Sequence, residues 1–331
     1  MTMLDVSAFS GVHCESTTMV NLLSQRGIDI SEAMVFGLGR GLDYIYWKSK
    51  LMPYPFIGGR VKPDKLTEFF SENLGITIIR KETGSLDKAW QNLVSEIDAG
   101  NLVGLKLDSY FLEYCSETFH FPSHYLTCYG YDNERVYLID SMGSEERYST
   151  SRDSLSKARS FKGPMSSKSL SYTLAEHDIK FDLEEVIPKA ITQNSESYLN
   201  PPIKNMSFKG ICKTSEVMKD WLTTLENPKE NLASIAYIME HAGTGGGLFR
   251  KLWATYLQEC SQIITHPGLD DISARFFEIG EAWSQVSNLL ENTAELLDKR
   301  LLLEASSILL RIAEDEKSAM KDLHSLVINK M

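Results

Sequence analysis

Hydrophobic residues in the first 150 positions recur at helical and strand spacings in turn, which predicts a region of mixed helices and strands. Apolar positions from Cys14 to Arg26 follow a helical pattern that stops at Gly27. Residues 53–63 hold three prolines and two glycines, which predicts a loop. Further segments are predicted from the same signals, with helices at 64–73 (Asp64 as its N-cap) and 86–99, and strands at 76–80 and 102–107.

Residues 124–131 and 136–139 flank the turn sequence Asp132-Asn-Glu-Arg135, which predicts a β-hairpin. If the turn uses residues 132–134, Leu126 lies opposite Asp140, and His124 and Asp140 are diagonal neighbours about 7 Å apart. A slip of one residue would move the two side chains to opposite faces of the sheet. The hairpin therefore predicts a histidine–carboxylate pair that depends on the register.

After Asn200-Pro-Pro202, helical periodicity dominates, and helices are predicted near 213–226, 229–241, 247–264, 269–292 and 294–329. A chain of 331 residues exceeds what a single core usually fills. We therefore predict an α+β domain at 1–150, a connecting segment at 151–200 and an all-α domain at 201–331.

The composition excludes several classes of protein. Hydrophobic residues at 43% and charged residues at 24% are typical of a folded protein and exclude general disorder. No apolar run is long enough for a membrane span, and the first residues lack the pattern of a secretory signal. A net charge of −11, with neither part of the chain basic, argues against nucleic-acid binding. The five scattered cysteines, without a CxxC motif, indicate free thiols in a cytoplasmic protein.

One local stretch, 151–170, is basic, with five cations and one anion. A solvated surface face is the ordinary interpretation of such a stretch. The alternative is a docking site for an acidic partner.

Cys14 stands at the start of a predicted helix, where the helix dipole and unpaired backbone N–H groups stabilise a thiolate and can hold an oxyanion. A small buried cysteine is the alternative interpretation. A cysteine nucleophile also needs an imidazole to exchange a proton and a third group to orient that imidazole. His124 and Asp140 supply both groups, so the three residues predict nucleophilic catalysis. His13 is either a second proton carrier or a loop residue.

A metal site is the competing interpretation of Cys115, His120, His124 and Cys128. His124 and Cys128 lie on one predicted strand, four residues or about 13 Å apart, which is too far for two ligands of one zinc ion. Cys128 is therefore predicted to be a core residue, and His120 either flanks the cleft or is merely exposed. We expect no metal and no cofactor.

Two glycine clusters could bind phosphate groups. Gly37-Leu-Gly-Arg-Gly41 follows an amphipathic stretch that begins at Ser31, rather than a strand, so it fails as a dinucleotide motif. Gly243-Thr-Gly-Gly-Gly-Leu-Phe-Arg250 lacks the ending of a P-loop. The second cluster is either a flexible link between helices or a hinge or anion pocket in which Arg250 holds a carboxylate or phosphate.

Several of these segments together resemble the butirosin biosynthesis protein H family. The matching segments are Gly11-Val-His-Cys14-Glu-Ser-Thr, Ser31 to Gly41, Leu107-Asp-Ser-Tyr110, His124 to Asp132, Ile139-Asp140, Gly245 to Arg250, and Trp253 to Glu259. The resemblance implies a papain-like cysteine-protease-type domain, similar to bacteriocin-leader peptidases, followed by a helical domain.

By this resemblance the protein is an acyltransferase in secondary-metabolite (antibiotic) biosynthesis that moves an acyl group from an acyl carrier protein to an amine acceptor. Cys14 would take the acyl group, His124 would act as base and then acid, and Asp140 would orient His124. Asp108, Tyr110 and Arg250 match family positions that line the cleft, with His13 beside them. Papain-type enzymes often carry a glutamine shortly before the cysteine, whereas this chain has Ser7-Ala-Phe-Ser10, so backbone N–H groups or His13 would have to stabilise the oxyanion.

Two alternatives remain open on the sequence. A cysteine peptidase or amidase would use the same three residues, and a non-catalytic binding protein could share the fold. The protein could also form an oligomer. The carrier protein is expected to meet the basic stretch 151–170.

Overall fold

The computed structural model of the chain describes residues 2–50, 52–116, 119–143, 145–175, 179–264 and 266–328. The chain divides into two units, the first comprising Met1–Val35 and Pro63–Phe181, and the second Phe36–Lys62 and Asp182–Met331. These bounds differ from the predicted domains 1–150, 151–200 and 201–331. Residues 36–62 join the second unit, and residues 151–181 belong to the first.

The elements are numbered in chain order. The strands are β1 (Thr2–Met3), β2 (Leu42–Trp47), β3 (Phe56–Arg60), β4 (Ile78–Lys81), β5 (Val103–Leu107), β6 (His124–Tyr131), β7 (Arg135–Ile139), β8 (Arg147–Ser151) and β9 (Ser171–Leu174). The helices are α1 (Cys14–Gln25), α2 (Glu32–Leu38), α3 (Lys65–Leu74), α4 (Leu86–Asp98), α5 (Arg152–Ser160), α6 (Leu183–Leu199), α7 (Ser207–Met218), α8 (Trp221–Thr224), α9 (Pro228–Glu240), α10 (Arg250–Ile263), α11 (Pro267–Leu296) and α12 (Lys299–Ile328). Within the described ranges, no helix combines the length and the apolar character that crossing a membrane requires.

The first unit is built on a seven-stranded sheet with the order β4-β9-β5-β6-β7-β8, and β1 pairs with β6. Each of these pairings is antiparallel. Alternate strand residues such as Leu105, Leu126 and Leu138 share a buried core with Leu93 of α4 and Leu155 of α5. Helix α1 packs against β5, β6 and β9. The predicted α+β class of this unit is confirmed.

The hairpin of β6 and β7 begins one residue away from the predicted register. Tyr131 pairs with Val136 rather than Arg135, which by itself would have placed His124 and Asp140 on opposite faces. An irregularity between Cys128 and Gly130 adds one residue to β6, so that Cys128 pairs with Leu138 and Thr127 with Ile139. Beyond the bulge the register is again the predicted one, which places Asp140 within reach of His124.

Asp64 takes the N-cap position of α3, as predicted, but its side chain does not cap the helix. Its φ of 72° lies in the left-handed region, and it makes no side-chain cap hydrogen bond. The carboxylate instead accepts from Lys106 Nζ at 2.6 Å and Tyr125 Oη at 2.8 Å. The backbone N–H of Thr67 donates to Glu15 of α1 at 3.2 Å, so a neighbouring helix supplies the cap.

The predicted loop at 53–63 is wrong, because residues 56–60 form β3 and pair with β2. Glycine makes this strand possible. A Cβ on Gly59 would lie 2.5 Å from both Leu248 Cγ and Leu248 O. The prolines that predicted a loop, at positions 53, 55 and 63, lie outside the strand. The second unit therefore also holds a two-stranded sheet, which residues 42–60 contribute, while the named elements of the part predicted to be all-α, 201–331, are helical.

Helices form most of the second unit. The predicted helices correspond to α7 through α12, with boundaries displaced by several residues. Helix α6 lies in the predicted connecting segment 151–200, which also contains α5 and β9, so that segment is structured rather than a linker. Trp253, Tyr256 and Leu257 of α10 are completely buried and contribute to the core of this unit.

Arg250 is fully buried in the second unit and is paired with a carboxylate. Its Nε and Nη2 donate to Glu316 Oε1 and Oε2 at 2.8 and 2.9 Å. Its Nη1 donates to the carbonyls of Gly59 and Leu248 at 3.1 and 2.8 Å. Trp283 Nε1 and the Tyr198 hydroxyl also donate to Glu316. Although burial opposes its charge, Glu316 raises the pKa of Arg250 above its usual value.

This burial contradicts the expectation that Arg250 contacts a substrate. The anion-pocket interpretation of residues 243–250 fails for the same reason, because the guanidinium is used by Glu316 and two carbonyls inside the unit. The glycine cluster instead connects α9 to α10, and Leu248 and Phe249 there have φ values of 51° and 72°. Arg250 is a structural residue.

Replacing Glu316 by glutamine should strongly destabilise the second unit, because the guanidinium of Arg250 would remain buried without its counter-charge. We expect the free energy of unfolding to fall by about 3–5 kcal/mol in urea titrations followed by tryptophan fluorescence. The control is Glu281→Gln, which removes the exposed partner of Lys251 and should cost about 0–1 kcal/mol. Equal losses in the two variants would contradict the structural role of the buried pair.

Candidate functional site

Helix α1 begins at Cys14, whose side chain is nearly buried at 8% exposure. His13 is the N-cap residue, with extended backbone, and its Nδ1 accepts from the backbone N–H of Ser16 at 3.4 Å. The first N–H groups of a helix have no intrahelical acceptor, and Cys14 is the first residue of this one. This is the arrangement that stabilises a thiolate and a developing oxyanion.

The carboxylate of Glu32 holds the segment that leads into α1. It accepts from the backbone N–H groups of Val12 and His13 at 2.9 and 2.8 Å. It also accepts from the hydroxyls of Ser16 and Thr17, each at 3.1 Å. One buried side chain therefore bonds both sides of the helix start and determines where Cys14 lies.

His124, the first residue of β6, lies beside Asp140, which directly follows β7. Its Nε2 is 2.8 Å from Asp140 Oδ1 and 3.0 Å from Oδ2, and both side chains are buried. Asp140 also accepts from the Tyr114 hydroxyl at 2.7 Å and from the Met142 N–H at 3.1 Å. The backbone oxygen of Asp140 accepts from Ser10 Oγ at 3.0 Å, which ties this strand end to the segment preceding Cys14.

Cys14 lies near enough to His124 to be one of the groups that raise its pKa, so the structure brings the three predicted residues together. Burial alone would lower the pKa of His124. The charge and hydrogen bond of Asp140, together with Cys14, outweigh burial and raise that pKa well above 6.5. With Nε2 engaged by Asp140, Nδ1 is the ring nitrogen that remains for the sulfur.

Two family models match this chain. The model described as butirosin biosynthesis protein H, N-terminal, matches residues 13–141, and that of a domain of unknown function (DUF4872) matches residues 153–323. The chain belongs to the butirosin biosynthesis protein H family. The first match includes Cys14, His124 and Asp140. The placement of these residues, with a cysteine at a helix start beside a histidine and a carboxylate on an antiparallel sheet, is that of a papain-like domain.

Comparison with solved structures and curated proteins adds little to the family match. A solved structure described as a C39-like peptidase from Bacillus anthracis is 15% identical and covers 53% of this chain and 98% of that one, with a TM-score of 0.39. The search of curated proteins found no significant match.

The remaining predicted site residues have different environments. His13 is 2% exposed and caps α1 in this family member. Asp108 is fully buried, and its carboxylate bonds His120 and the backbone N–H groups of Phe121 and Tyr110. Tyr110 is 43% exposed. Of the residues expected to line the cleft, Tyr110 is thus accessible, whereas Asp108 reaches solvent only through His120.

The residues of the alternative metal site are engaged elsewhere. His120 bonds Asp108, His124 bonds Asp140, and the Cys128 thiol lies 3.5 Å from Gly130 O. Burial raises the pKa of Cys128 to about 12, in keeping with the predicted core residue. Among the described residues, no three His, Cys, Asp or Glu side chains are arranged to hold a metal ion.

The sequence reasoning missed Glu32 and Tyr114. Glu32 lies 19 positions from His13 along the chain, and Tyr114 lies 26 positions before Asp140. Neither residue belongs to a local motif, and only the fold brings them to the site. The signal for Asp140 is its place in the predicted hairpin, diagonally across from His124, and no comparable signal marks Glu32.

Asp140→Asn should slow alkylation of Cys14 near neutral pH. The variant loses the charge that raises the pKa of His124, while the burial that lowers this pKa remains. The imidazolium then loses its proton at a lower pH, and the positive charge beside the Cys14 sulfur is lost. We expect the iodoacetamide rate at pH 7 to fall at least about tenfold, the effect of one pKa unit.

The rate is read from the mass of the Cys14 peptide across a pH series. Asp153→Asn is the matched control, because this exposed carboxylate pairs with Lys157 and should leave the rate unchanged. An Asp140→Asn profile that superimposes on the wild-type profile would refute the proposed charge coupling.

Proposed function

We propose that the protein is a cysteine-dependent acyltransferase that transfers an acyl group from a carrier-protein thioester to an amine acceptor, with acyl-Cys14 as the intermediate. The observation that carries this proposal is that Cys14, at the start of α1, interacts with His124, whose ring bonds Asp140, in a member of the butirosin biosynthesis protein H family. The family points to secondary-metabolite biosynthesis, and the residues point to acyl transfer.

The first half-reaction forms the acyl-enzyme. The Cys14 thiolate attacks the thioester carbonyl, and the oxyanion develops beside the N–H groups of the first turn of α1. The bond to the carrier sulfur breaks, and the imidazolium of His124 gives its proton to the departing thiolate. A thioester is exchanged for a thioester, so the step is nearly balanced in energy.

The second half-reaction transfers the acyl group. The nitrogen of the acceptor attacks the acyl carbon, and the bond to the Cys14 sulfur breaks. Neutral His124 takes a proton from the attacking nitrogen, which regenerates the pair of thiolate and imidazolium. Asp140 keeps the imidazole oriented and stabilises its charged form in both steps.

A reducing compartment fits this chemistry. All five cysteines are free thiols, including Cys14. We accordingly propose that the protein acts in the cytoplasm, where thiols stay reduced.

Incubation with a panel of acyl-carrier and acyl-N-acetylcysteamine thioesters should give a covalent adduct on Cys14, detected by intact mass. The adduct should disappear in Cys14→Ala because the nucleophile is missing. Cys212→Ala is the matched control, a half-buried thiol outside the site, and should keep the adduct. An adduct that persists in Cys14→Ala, or peptide cleavage without any adduct, would contradict the proposal and favour a hydrolase. No adduct and equal reactivity of all thiols would favour a binding protein.

The proposed carrier protein is acidic and meets the exposed cations of the basic stretch 151–170. Arg159 is excluded from this contact, because it is buried and donates to the carbonyls of Ala89 and Ser169 at 3.0 Å. Arg152 lies 4.0 Å from the ring centroid of Trp90 and Lys157 pairs with Asp153, yet both are exposed, as are Lys162 and Lys168. These exposed cations support an electrostatic docking face.

Reversing two of these charges, in Lys157→Glu with Lys162→Glu, should lower kcat/KM for carrier-bound donors about tenfold at low salt. The effect should shrink as salt rises, since exposed charges are screened. Small N-acetylcysteamine thioesters should react unchanged, because they make no contact with this face. The matched control is the double variant Lys219→Glu and Lys229→Glu, in the second unit. Equal losses with both kinds of donor would refute docking at 151–170.

A further inference from the structure

A second histidine–carboxylate pair lies in the first unit. His120 Nδ1 is 2.6 Å from Asp108 Oδ2. Asp108 is fully buried, whereas the His120 side chain is 45% exposed. Since Nδ1 is engaged by the carboxylate, Nε2 is the ring nitrogen that can exchange a proton with a ligand.

The surroundings hold this imidazole in one orientation. Asp108 Oδ1 accepts from the backbone N–H groups of Phe121 and Tyr110 at 2.8 and 3.3 Å. The His120 ring stacks on Phe161 with centroids 4.4 Å apart and an angle of 7° between the planes, and Tyr110 lies at 4.3 Å. An exposed histidine bound this closely on two sides is ordered before any ligand arrives.

Strand register places this pair at the same end of the sheet as the first one. Leu107, the last residue of β5, is the register partner of His124, the first residue of β6. Asp108 follows Leu107 directly, and Asp140 directly follows β7, which pairs with the other side of β6. Both histidine–aspartate pairs therefore lie at the same end of the sheet, on neighbouring strands.

Transfer to an amine requires the removal of two protons. An alkylamine is almost entirely an ammonium ion near pH 7, since amines of the lysine type have pKa values near about 10.4. It must lose one proton before it can attack and a second as the amide forms. His124 accepts one of them, and the other goes either to solvent or to a second base of the protein.

We propose that His120 is that second base and acts as the general base that deprotonates the ammonium form of the amine substrate. This inference rests on the proposed acyl-transfer function. Nε2 of His120 takes the first proton, the free amine attacks acyl-Cys14, and His124 takes the second proton as the Cys14 thiolate leaves. His120 then returns its proton to solvent through its exposed face, with Asp108 as its positioning residue.

The surroundings of His120 suit this role. Among the groups in contact with the ring, Asp108 and Tyr110 are titratable, and Asp108 is the one that stabilises an imidazolium. Phe111 and Phe161 carry no charge and form the apolar remainder of the contact. An organic amine can therefore approach an aromatic surface that also contains a base.

The test separates loading of Cys14 from transfer. The protein is first acylated with an acyl-N-acetylcysteamine thioester, and the loss of the adduct is followed by mass after an amine is added. His120→Gln should load Cys14 at the wild-type rate but pass the acyl group to a primary alkylamine about a hundredfold more slowly near neutral pH. The deficit should diminish as the pH rises and the free amine accumulates.

Methoxyamine is the decisive second acceptor, because it is already unprotonated at neutral pH and should react equally with the wild type and His120→Gln. Asp108→Asn should also slow acyl transfer to the alkylamine. His241→Gln, the same replacement at an exposed histidine of the second unit, should change neither reaction.

A His120→Gln variant that slows both amines equally, or neither, would overturn the role of His120 while leaving acyl-Cys14 intact. Failure of the wild type to form acyl-Cys14 would overturn the proposed function itself, and this inference with it. The loading step thus distinguishes the two failures.

Discussion

The carboxylate of Glu32 determines where helix α1 begins, and the candidate site depends on that point. It accepts hydrogen bonds from two backbone N–H groups and two hydroxyls around His13, which fixes the segment from which the chain enters the helix at Cys14. A helix start displaced by one residue would rotate the sulfur by about 100° around the axis, since a turn takes about 3.6 residues. The meeting of Cys14 and His124 is therefore a consequence of how the preceding segment is held.

Buried carboxylates recur in the first unit, and each satisfies backbone donors that the local chain leaves open. Glu15 bonds Thr67 at the start of α3, Asp108 bonds the N–H of Phe121, and Asp140 bonds that of Met142. An unpaired charge in the interior is costly, so each of these side chains restricts the chain to conformations that provide donors. Charges that would otherwise destabilise the core thereby order the loops around the site.

Local signals in the sequence predicted most helices of both units and the hairpin of β6 and β7, because periodicity and glycine stops act over a few residues. The exact register was beyond such signals. Gly130 follows the bulge, and a Cβ there would lie 2.7 Å from Thr2 O of β1, so the glycine at this point is required by a strand more than a hundred residues away. The prediction that Arg250 contacts a substrate was wrong for the same reason. Its partner Glu316 is 66 positions further along the chain, and no local pattern indicates that an arginine beside a glycine cluster is buried.

The two histidine–aspartate pairs show how burial assigns roles to identical side chains. The His124 side chain is 3% exposed, so its interaction with Asp140 is little screened, and the carboxylate raises the pKa of the imidazole. His120 also bonds a fully buried aspartate, but its ring is 45% exposed, so water can carry away a proton that it accepts. A base that must release its proton in every cycle needs access to solvent, whereas a histidine that pairs with a nucleophile needs to be shielded from solvent. The two histidines are the same residue type, and it is the difference in their environments that gives them different roles.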